Sequence, residues 1–289
     1  PGIYIKRDDN TGLALGGNKT RKLEFLIGDA LHQGATHVVT QGATQSNHVR
    51  QTIAAANRYD LKTTVLLEER VSGAHEDYYR NGNVLLDQIL GAAAIEHRPA
   101  GLDMNAELGH VATRLRAQGE VPYLIPGGGS NPIGALGYVV SAHEITAQAN
   151  ELGLRIDEVI HATGSTGTQA GLVVGFEAAS SHIPVLGISV RAPKDRQEAN
   201  VRKLATETWK LLEARRFPRA GRARQRGLRG RRLRAAHRRH GAGGAPAGRD
   251  RGHLAGPRLQ RQSLRRLGRP GAARALHARS NHRLRAHRG

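Results

Sequence analysis

The chain has 289 residues, with 44 Lys and Arg against 24 Asp and Glu, and no Cys. That length allows one large or two medium domains with a real core, and the lack of Cys excludes disulfide frameworks, thiolate metal sites and Cys nucleophiles. No apolar run reaches the roughly 18 residues of a membrane span and no signal-peptide pattern opens the chain, so the expected compartment is the cytoplasm.

The formal net charge of +20 is concentrated at one end. Residues 1–213 hold 20 basic and 23 acidic side chains, whereas residues 214–289 hold 24 Arg, no Lys and one acid, Asp250. A mildly acidic globular segment is thus followed by an arginine tail, and the charge of the whole chain describes neither part.

The first 213 residues alternate β-branched runs with helical patterns. In chain order the spacing predicts a short strand at Tyr4–Lys6 and a helix from Lys19 to Gln33, with Leu23, Leu26, Ile27 and Leu31 on one face. A buried strand at His37–Gln41, an Ala-rich helix over Ser46–Tyr59 and a strand at Thr63–Leu67 come next. Helix 80–90, strand 92–95, helix 103–118 and strand 122–125 follow. The glycine run Gly127–Gly129 precedes helix 133–150. Strand Glu158–His161, a helix opening near Gln169, strand Pro184–Val190 and helix 195–213 complete the series. Such alternation argues for a parallel sheet with helices on both faces. After Glu213 Arg, Gly, Ala, His and Pro dominate, and composition alone predicts a disordered basic tail.

Three constellations could carry chemistry. Gly16-Gly17-Asn18-Lys19 delivers a lysine to a helix N-terminus, where the dipole favours the neutral amine that a Schiff-base lysine needs; a solvated first-turn lysine fits the same pattern. Gln45-Ser46-Asn47-His48 ends a strand and opens a helix, which suits a carboxylate or an ordinary N-cap by Ser46. Thr163-Gly164-Ser165-Thr166-Gly167-Thr168 lies between a strand and a helix, with small residues that let the backbone wrap a phosphate or make a plain turn. It is neither a Walker A loop nor a GxGxxG fingerprint. No HExxH occurs, the histidines of the tail follow its composition, and no metal site is expected.

In this order the three segments resemble the fold-type II pyridoxal-phosphate enzymes, more closely the D-cysteine desulfhydrase and 1-aminocyclopropane-1-carboxylate deaminase family. The likeness runs from Ile3 to about Leu212 and is carried by Ile5-Lys6-Arg7-Asp8-Asp9, GGNKTRKLEFL and QSNHVRQ. His48 is unlike the deaminases, which resemble QSNQ there. TQGAT at 40–44, DMNAE at 103–107, PGGGSNPIGALGY at 126–138 and VRAPK at 190–194 look most like L-cysteate sulfo-lyase.

The resemblance implies an α/β, tryptophan synthase β-like fold of two domains with parallel sheets flanked by helices. A large cofactor-binding domain would take residues 1–24 and 129–213, with a small domain at 25–128. The cofactor would be pyridoxal 5′-phosphate, linked to Lys19. Asn47 would hydrogen-bond its 3′-oxygen, and Gly164, Ser165, Thr166, Gly167 and Thr168 would cradle its phosphate. Ser46, Asn47 and His48 would hold the substrate carboxylate. Freed Lys19 would take the Cα proton, and the β-substituent would leave as sulfite or sulfide, with pyruvate and ammonia following. L-Cysteate is the first substrate expected, D-cysteine the second, and 1-aminocyclopropane-1-carboxylate the third. A small amino acid, a second copy in a homodimer when the chain is in frame, no specific nucleic acid and no membrane are the partners expected.

The family's C-terminal part, with a DPVY[ST]GK-like segment supplying a catalytic Tyr and an HTGG segment, is not in the amino acids of 214–289. Yet His253 to Arg269, with the last two bases of the Gly252 codon and the first of Pro270, can be encoded so that the same bases, read in a shifted frame, give GILLDPVYSGKAFAGLVD. Likewise His282 to Gly289 can give IVFVHTGG. Every base serves both frames, so the codon choices constrain one another. The tail therefore reads as a frameshift product beginning between about residues 214 and 225, with arginine enrichment as a by-product of a GC-rich gene. The reading of another class is an inactive remnant whose tail binds polyanions nonspecifically.

Overall fold

The computed structural model describes residues 2–215, with the side chains of the last two left aside. The arginine-rich stretch from residue 216 onward, and with it the frameshift reading and the expected disorder, lies outside the described residues. Two parallel sheets carry the fold. The first has the order β3-β2-β1-β4, with β1 at His37–Ala43, β2 at Lys62–Glu69, β3 at Ala94–Pro99 and β4 at Pro122–Ile125. The second pairs β5, Val159–Thr163, with β6, Val185–Ser189. Register runs Val39 opposite Thr64 and Leu124 in the first sheet, and His161 opposite Gly187 in the second.

Helices cover both faces of the first sheet, as central strands β1 and β2, buried on both sides, require. On one side, Leu23, Leu26, Ile27 and Ala30 of α1 (Lys19–His32) pack on Val38 and Ile125. On the same side, Val49 and Ile53 of α2 (Asn47–Asn57) and Val84 of α3 (Asn83–Ile89) meet Val65 and Leu67. On the other, Met104, Leu108, Val111 and Leu115 of α4 (Met104–Ala117) meet Val39 and Leu66. Asp103 caps α4 by accepting from the Asn105 and Ala106 N–H groups at 2.9 and 3.2 Å. The second sheet is backed by α5 (Pro132–Glu151) and α6 (Gly167–Ala178), through Tyr138, Ala142, Leu172 and Phe176 against Val159 and Val185. α7 (Lys194–Arg215) lies over α5 and α6, with Trp209 and Leu212 against Leu136, Val139 and Val174.

α1 runs through the domain boundary expected at residue 24 and joins the two regions, one face on the first sheet and its N-terminal turns against α5. At Gly137 of α5 a methyl group would lie 2.1 Å from the Arg21 carbonyl oxygen, so the helices touch backbone to backbone.

One expected element does not form. Tyr4–Lys6 forms no strand, and Tyr4 and Ile5 are 62 and 78 % exposed. β-Branched residues favour a strand only where neighbouring strands pack against them, and none does so here among the described residues. The segment is tied down by its polar groups instead. Asp8 accepts from Arg21 Nε at 2.9 Å and from the Tyr138 hydroxyl at 2.7 Å, and Lys6 and Arg21 both reach Glu144. The helix expected at 80–90 shortens because Gly82, at φ +64°, breaks it from the 3-10 turn Glu76–Tyr79. The strand expected at 92–95 begins two residues later, because the Ala92 N–H closes the α3 turn on Asp87 O.

Candidate active site

Four loops meet where α1, α2, α5 and α6 begin; the second is Thr44–Ser46, which opens α2, and the other three bear glycines. The first, Gly16–Asn18, places Lys19 at the start of α1. Gly16 and Gly17 have φ of +77° and +139°, and a methyl group at Gly16 would lie 2.1 Å from Asp9 O. Lys19 Nζ donates to Asn18 Oδ1 at 3.0 Å, and Asn47 Nδ2 donates to the same oxygen at 3.3 Å. Asn18, which the sequence reading passed over, thus joins two of the expected site residues. Burial pulls the Lys19 pKa down to about 8. The free amine is therefore well populated in mildly alkaline solution, and desolvation lowers it where the helix dipole was expected to.

The third loop, Gly127–Gly129, joins Lys19 to the expected phosphate loop. A methyl group at Gly128, whose φ is +68°, would come within 2.4 Å of Ser165 Oγ and 3.5 Å of Lys19 Cε. The fourth loop runs from Gly164 into α6. Thr166 holds a positive φ of 67°, a strain that non-glycine residues keep mainly at functional sites. The Gly167 N–H donates to Ser130 Oγ at 3.1 Å, and Thr168 is half-buried in the first turn of α6.

Beside this loop lies a residue to which the sequence reading gave no role. Lys22, one turn beyond Lys19, is fully buried. Its Nζ donates to Gly128 O at 3.0 Å and to Ser130 Oγ at 3.2 Å, and lies 6.0 Å from the centre of the Tyr138 ring. A methyl group at Gly167 would sit 2.9 Å from it. It has no carboxylate partner among the described residues. Burial first, then neighbouring Lys19, push its pKa well below the lysine range. An unpaired buried lysine is costly to keep charged. An anion at the N-terminus of α6 would supply the missing counter-charge, and the helix dipole favours an anion there as well. The spacing of three residues from Lys19 could have flagged Lys22, but its burial depends on α5 and α6.

Ser46 and His48 are placed differently. Ser46 Oγ accepts from the Val49 N–H at 3.4 Å and serves as the N-cap of α2. The His48 ring is 2 % exposed, behind the third loop. The Thr40 hydroxyl donates to Ile125 O at 2.9 Å, so its oxygen accepts from His48 Nε2–H at 2.9 Å. Burial, then Lys19 and Lys22, keep the imidazole neutral, and its Nδ1 has no partner. The structure thus brings Lys19, Asn47 and the 164–168 loop to one place and sets the His48 ring behind it. Among the described residues no group of three or more His, Asp or Glu could hold a metal ion, and no helix is long and apolar enough to cross a membrane.

These residues fit a phosphate-bearing aldehyde cofactor: a buried amine with a lowered pKa, an amide beside it, and a glycine-hydroxyl cradle at a helix N-terminus over an unpaired lysine. Residues 1–220 match the family model described as pyridoxal-phosphate dependent enzyme, and the chain belongs to that family. It is 47 % identical over 199 residues to a D-cysteine desulfhydrase of Salmonella paratyphi C, covering 69 % of this chain and 60 % of that protein. It is 50 % identical over 188 residues to a D-cysteine desulfhydrase of Klebsiella pneumoniae subsp. pneumoniae, covering 65 % of this chain and 57 % of that one. A crystal structure described as the ACC deaminase homologue superposes with a TM-score of 0.64 at 39 % identity, over 73 % of this chain and 62 % of the other. The chain therefore spans about three fifths of the length of these relatives. Its α/β arrangement of parallel strands flanked by helices is that of the fold-type II pyridoxal-phosphate enzymes.

Proposed function

We propose that the chain carries the cofactor half of a pyridoxal-phosphate-dependent carbon–sulfur lyase that acts on D-cysteine, releasing sulfide, pyruvate and ammonia. The observation that carries the cofactor half of this reading is the meeting of Lys19, Asn18, Asn47 and the Gly164–Thr168 loop around Gly128. The substrate half rests on relatives that are called D-cysteine desulfhydrases and are about half identical. L-Cysteate is kept as a second substrate because the DMNAE, PGGGSNPIGALGY and VRAPK segments resemble sulfo-lyases.

Lys19 would carry the cofactor, Asn47 would meet its ring hydroxyl, and Lys22 with Ser130, Ser165 and the first N–H groups of α6 would hold its phosphate. Bound there, the cofactor supplies an electron sink for the carbanion left at Cα. Lys19, with its pKa near 8, is suited to take the Cα proton once its amine is free. The Asn18 amide oxygen, 3.0 Å from Nζ, orients that amine. Tyr138, whose ring stands near Lys22, is kept protonated by burial and by Asp8, so it acts as a fixed donor and not as a base.

The reading includes the shifted frame: the arginine-rich stretch is proposed to be the family's C-terminal part read out of frame, supported by the two segments recovered from 253–269 and 282–289. Genomic DNA across codons 205–230 tests it. The cofactor is tested by borohydride reduction with pyridoxal phosphate. The label is expected on the peptide carrying Lys19, and label on Lys22 alone would overturn the assignment. The substrate is tested with the frame-restored protein by comparing sulfide release from D-cysteine with sulfite release from L-cysteate. Faster sulfite release would promote the second substrate.

A further inference from the structure

The QSNHVRQ segment contributes Asn47 to the site, but its last residue, Gln51, makes the more extensive set of bonds. Gln51 is fully buried in the second turn of α2. All its polar bonds run to the loop that presents Lys19. Its Oε1 accepts from the Lys19 backbone N–H at 3.3 Å. Its Nε2 donates to Gly17 O at 3.2 Å and to Thr20 Oγ1 at 2.6 Å. These partners fix the amide's orientation, because a flip would set N–H against N–H. Thr20 passes its own hydrogen to Thr11 Oγ1 at 3.0 Å, and Thr11 donates to Gly17 O at 2.8 Å. The chain of donors thus closes on the carbonyl where it began. Gly17 must be glycine, since a methyl group there would lie 2.5 Å from Gln51 Oε1. Arg50, the preceding residue, donates to Gly16 O at 3.0 Å.

The consequence lies at the N-terminus of α1. A helix leaves its first N–H groups without partners, and an Asn at the N-cap normally turns its side-chain oxygen onto them. Asn18 is that residue and makes no such bond. Its oxygen instead holds Lys19 Nζ and Asn47 Nδ2. Asn18 has helical φ and ψ of −66° and −15°, so its side chain does not turn onto the first turn of α1, while Gln51, from another helix, takes the Lys19 N–H.

We propose that Gln51 is the positioning residue of the cofactor lysine: a cap supplied across helices that holds Gly17, Lys19 and Thr20 and so sets where the Lys19 amine stands. The proposal rests on the reading above only for the identity of Lys19. The charged or titratable groups facing that amine are Lys22 on its own helix and His48 on α2, both neutral or biased toward neutral. Gln51→Glu keeps the acceptor for the Lys19 N–H at nearly equal volume but brings a negative charge to the helix start. It should raise the Lys19 pKa by about one unit. Gln51→Met removes the cap. The segment that presents Lys19 should then loosen, and trapping of pyridoxal phosphate on Lys19 should slow at least tenfold.

The experiment is competitive acetylation of the full chain across pH, resolved by mass spectrometry at Lys19 with exposed Lys62 as internal control, together with borohydride trapping of pyridoxal phosphate. If Gln51→Met fails to fold, Thr20→Val, which removes only the hydroxyl anchoring the amide, takes its place and should slow trapping in the same direction. Folded variants in which Lys19 titrates and traps as in the parent would overturn the proposal. Failure of the cofactor reading looks different: no pyridoxyl label on Lys19 in the parent, with the acetylation pKa still reporting on Gln51.

Discussion

The two sheets of this protein are built from the same kind of strand and end in different surroundings. β1 and β2 of the first sheet are buried along nearly their whole length, between α1, α2 and α3 on one face and α4 on the other. β5 and β6 are covered on one face only. Val159, His161, Val185 and Gly187 point toward α6, while Ile160, Leu186 and Ile188 are 62, 43 and 53 % exposed. A parallel sheet ordinarily has both faces covered, and among the described residues nothing covers the apolar outer positions of β5 and β6. The site lies between the two regions. Lys19, Asn47 and Lys22 are set by elements that back the first sheet, while Gly164–Thr168 hangs from the second, which is covered on one face.

The largest expected effect follows from that division. Returning the codons after residue 213 to the family's frame should raise turnover of D-cysteine at least about a hundredfold, the scale of a lost catalytic acid–base group. It should also reduce binding of a hydrophobic dye to the Ile160–Ile188 face. Side-by-side assay with excess pyridoxal phosphate is the check, and equal turnover would mean that the chain as written completes its own site.

Lys22 links the regions, and removing its amine should act with opposite signs on fold and ligand. Lys22→Met removes a buried, unpaired amine, so the cofactor-free protein should gain about 1–3 kcal/mol. Affinity for pyridoxal phosphate should fall by about tenfold to a hundredfold, as expected for loss of a charge-assisted bond to phosphate. Thermal melts and a cofactor titration read the two effects separately. Stability and affinity falling together would mean that Lys22 is a packing residue and not an anion partner.

The first sheet carries its own titration. Asp87 of α3 is fully buried, and neither carboxylate oxygen has a partner. Burial, opposed by Arg50, raises its pKa to about 7. A carboxyl whose folded pKa is raised stabilises the protein below its unfolded value near 4, and that contribution is lost as pH rises through about 7. Asp87→Asn should therefore stabilise the protein by about 1–2 kcal/mol at pH 8 and change little at pH 4. Melts at the two pH values decide it, and an equal shift at both would remove the titration from the explanation.

Much of this architecture was legible because it rests on periodicity and local chemistry. Alternating strands and helices, the N-cap Ser46, and the glycine loops before Lys19 and α6 are local signals, and the structure places them where the spacing does. What was not legible depends on packing between distant segments. Tyr4–Lys6 has strand propensity but no neighbour to pair with. Lys22 resembles any solvated helix lysine until α5 and α6 close over it. Asn18 resembles an ordinary cap, yet its oxygen goes to Lys19 Nζ and Asn47 Nδ2, and Gln51, 32 residues beyond Lys19, takes the Lys19 N–H. The substrate role expected for His48 was drawn from its place in QSNH, whereas its burial follows from Thr40 and the loop at Gly129.

The smallest effect is the sharpest test of the comparison. Leu66 lies wholly buried between two helix layers, and Leu66→Ala should cost about 2–5 kcal/mol, the loss of a packed side chain plus the cavity it leaves. Ile188 stands on a strand of the same kind, yet more than half of its surface meets solvent. Ile188→Thr keeps the β-branch and removes apolar area where nothing packs on it, so in the chain as written it should change stability by no more than about 0.5 kcal/mol. In the frame-restored protein the same substitution should cost about 1–3 kcal/mol, because a covering layer would then lose an apolar contact and bury a hydroxyl. Denaturant melts of the two proteins with and without Ile188→Thr form a double-mutant cycle whose coupling energy measures the missing cover directly. A coupling near zero would show that the outer face of β5 and β6 is meant for solvent, and the contrast between the sheets would then reflect ordinary exposure and not an incomplete fold.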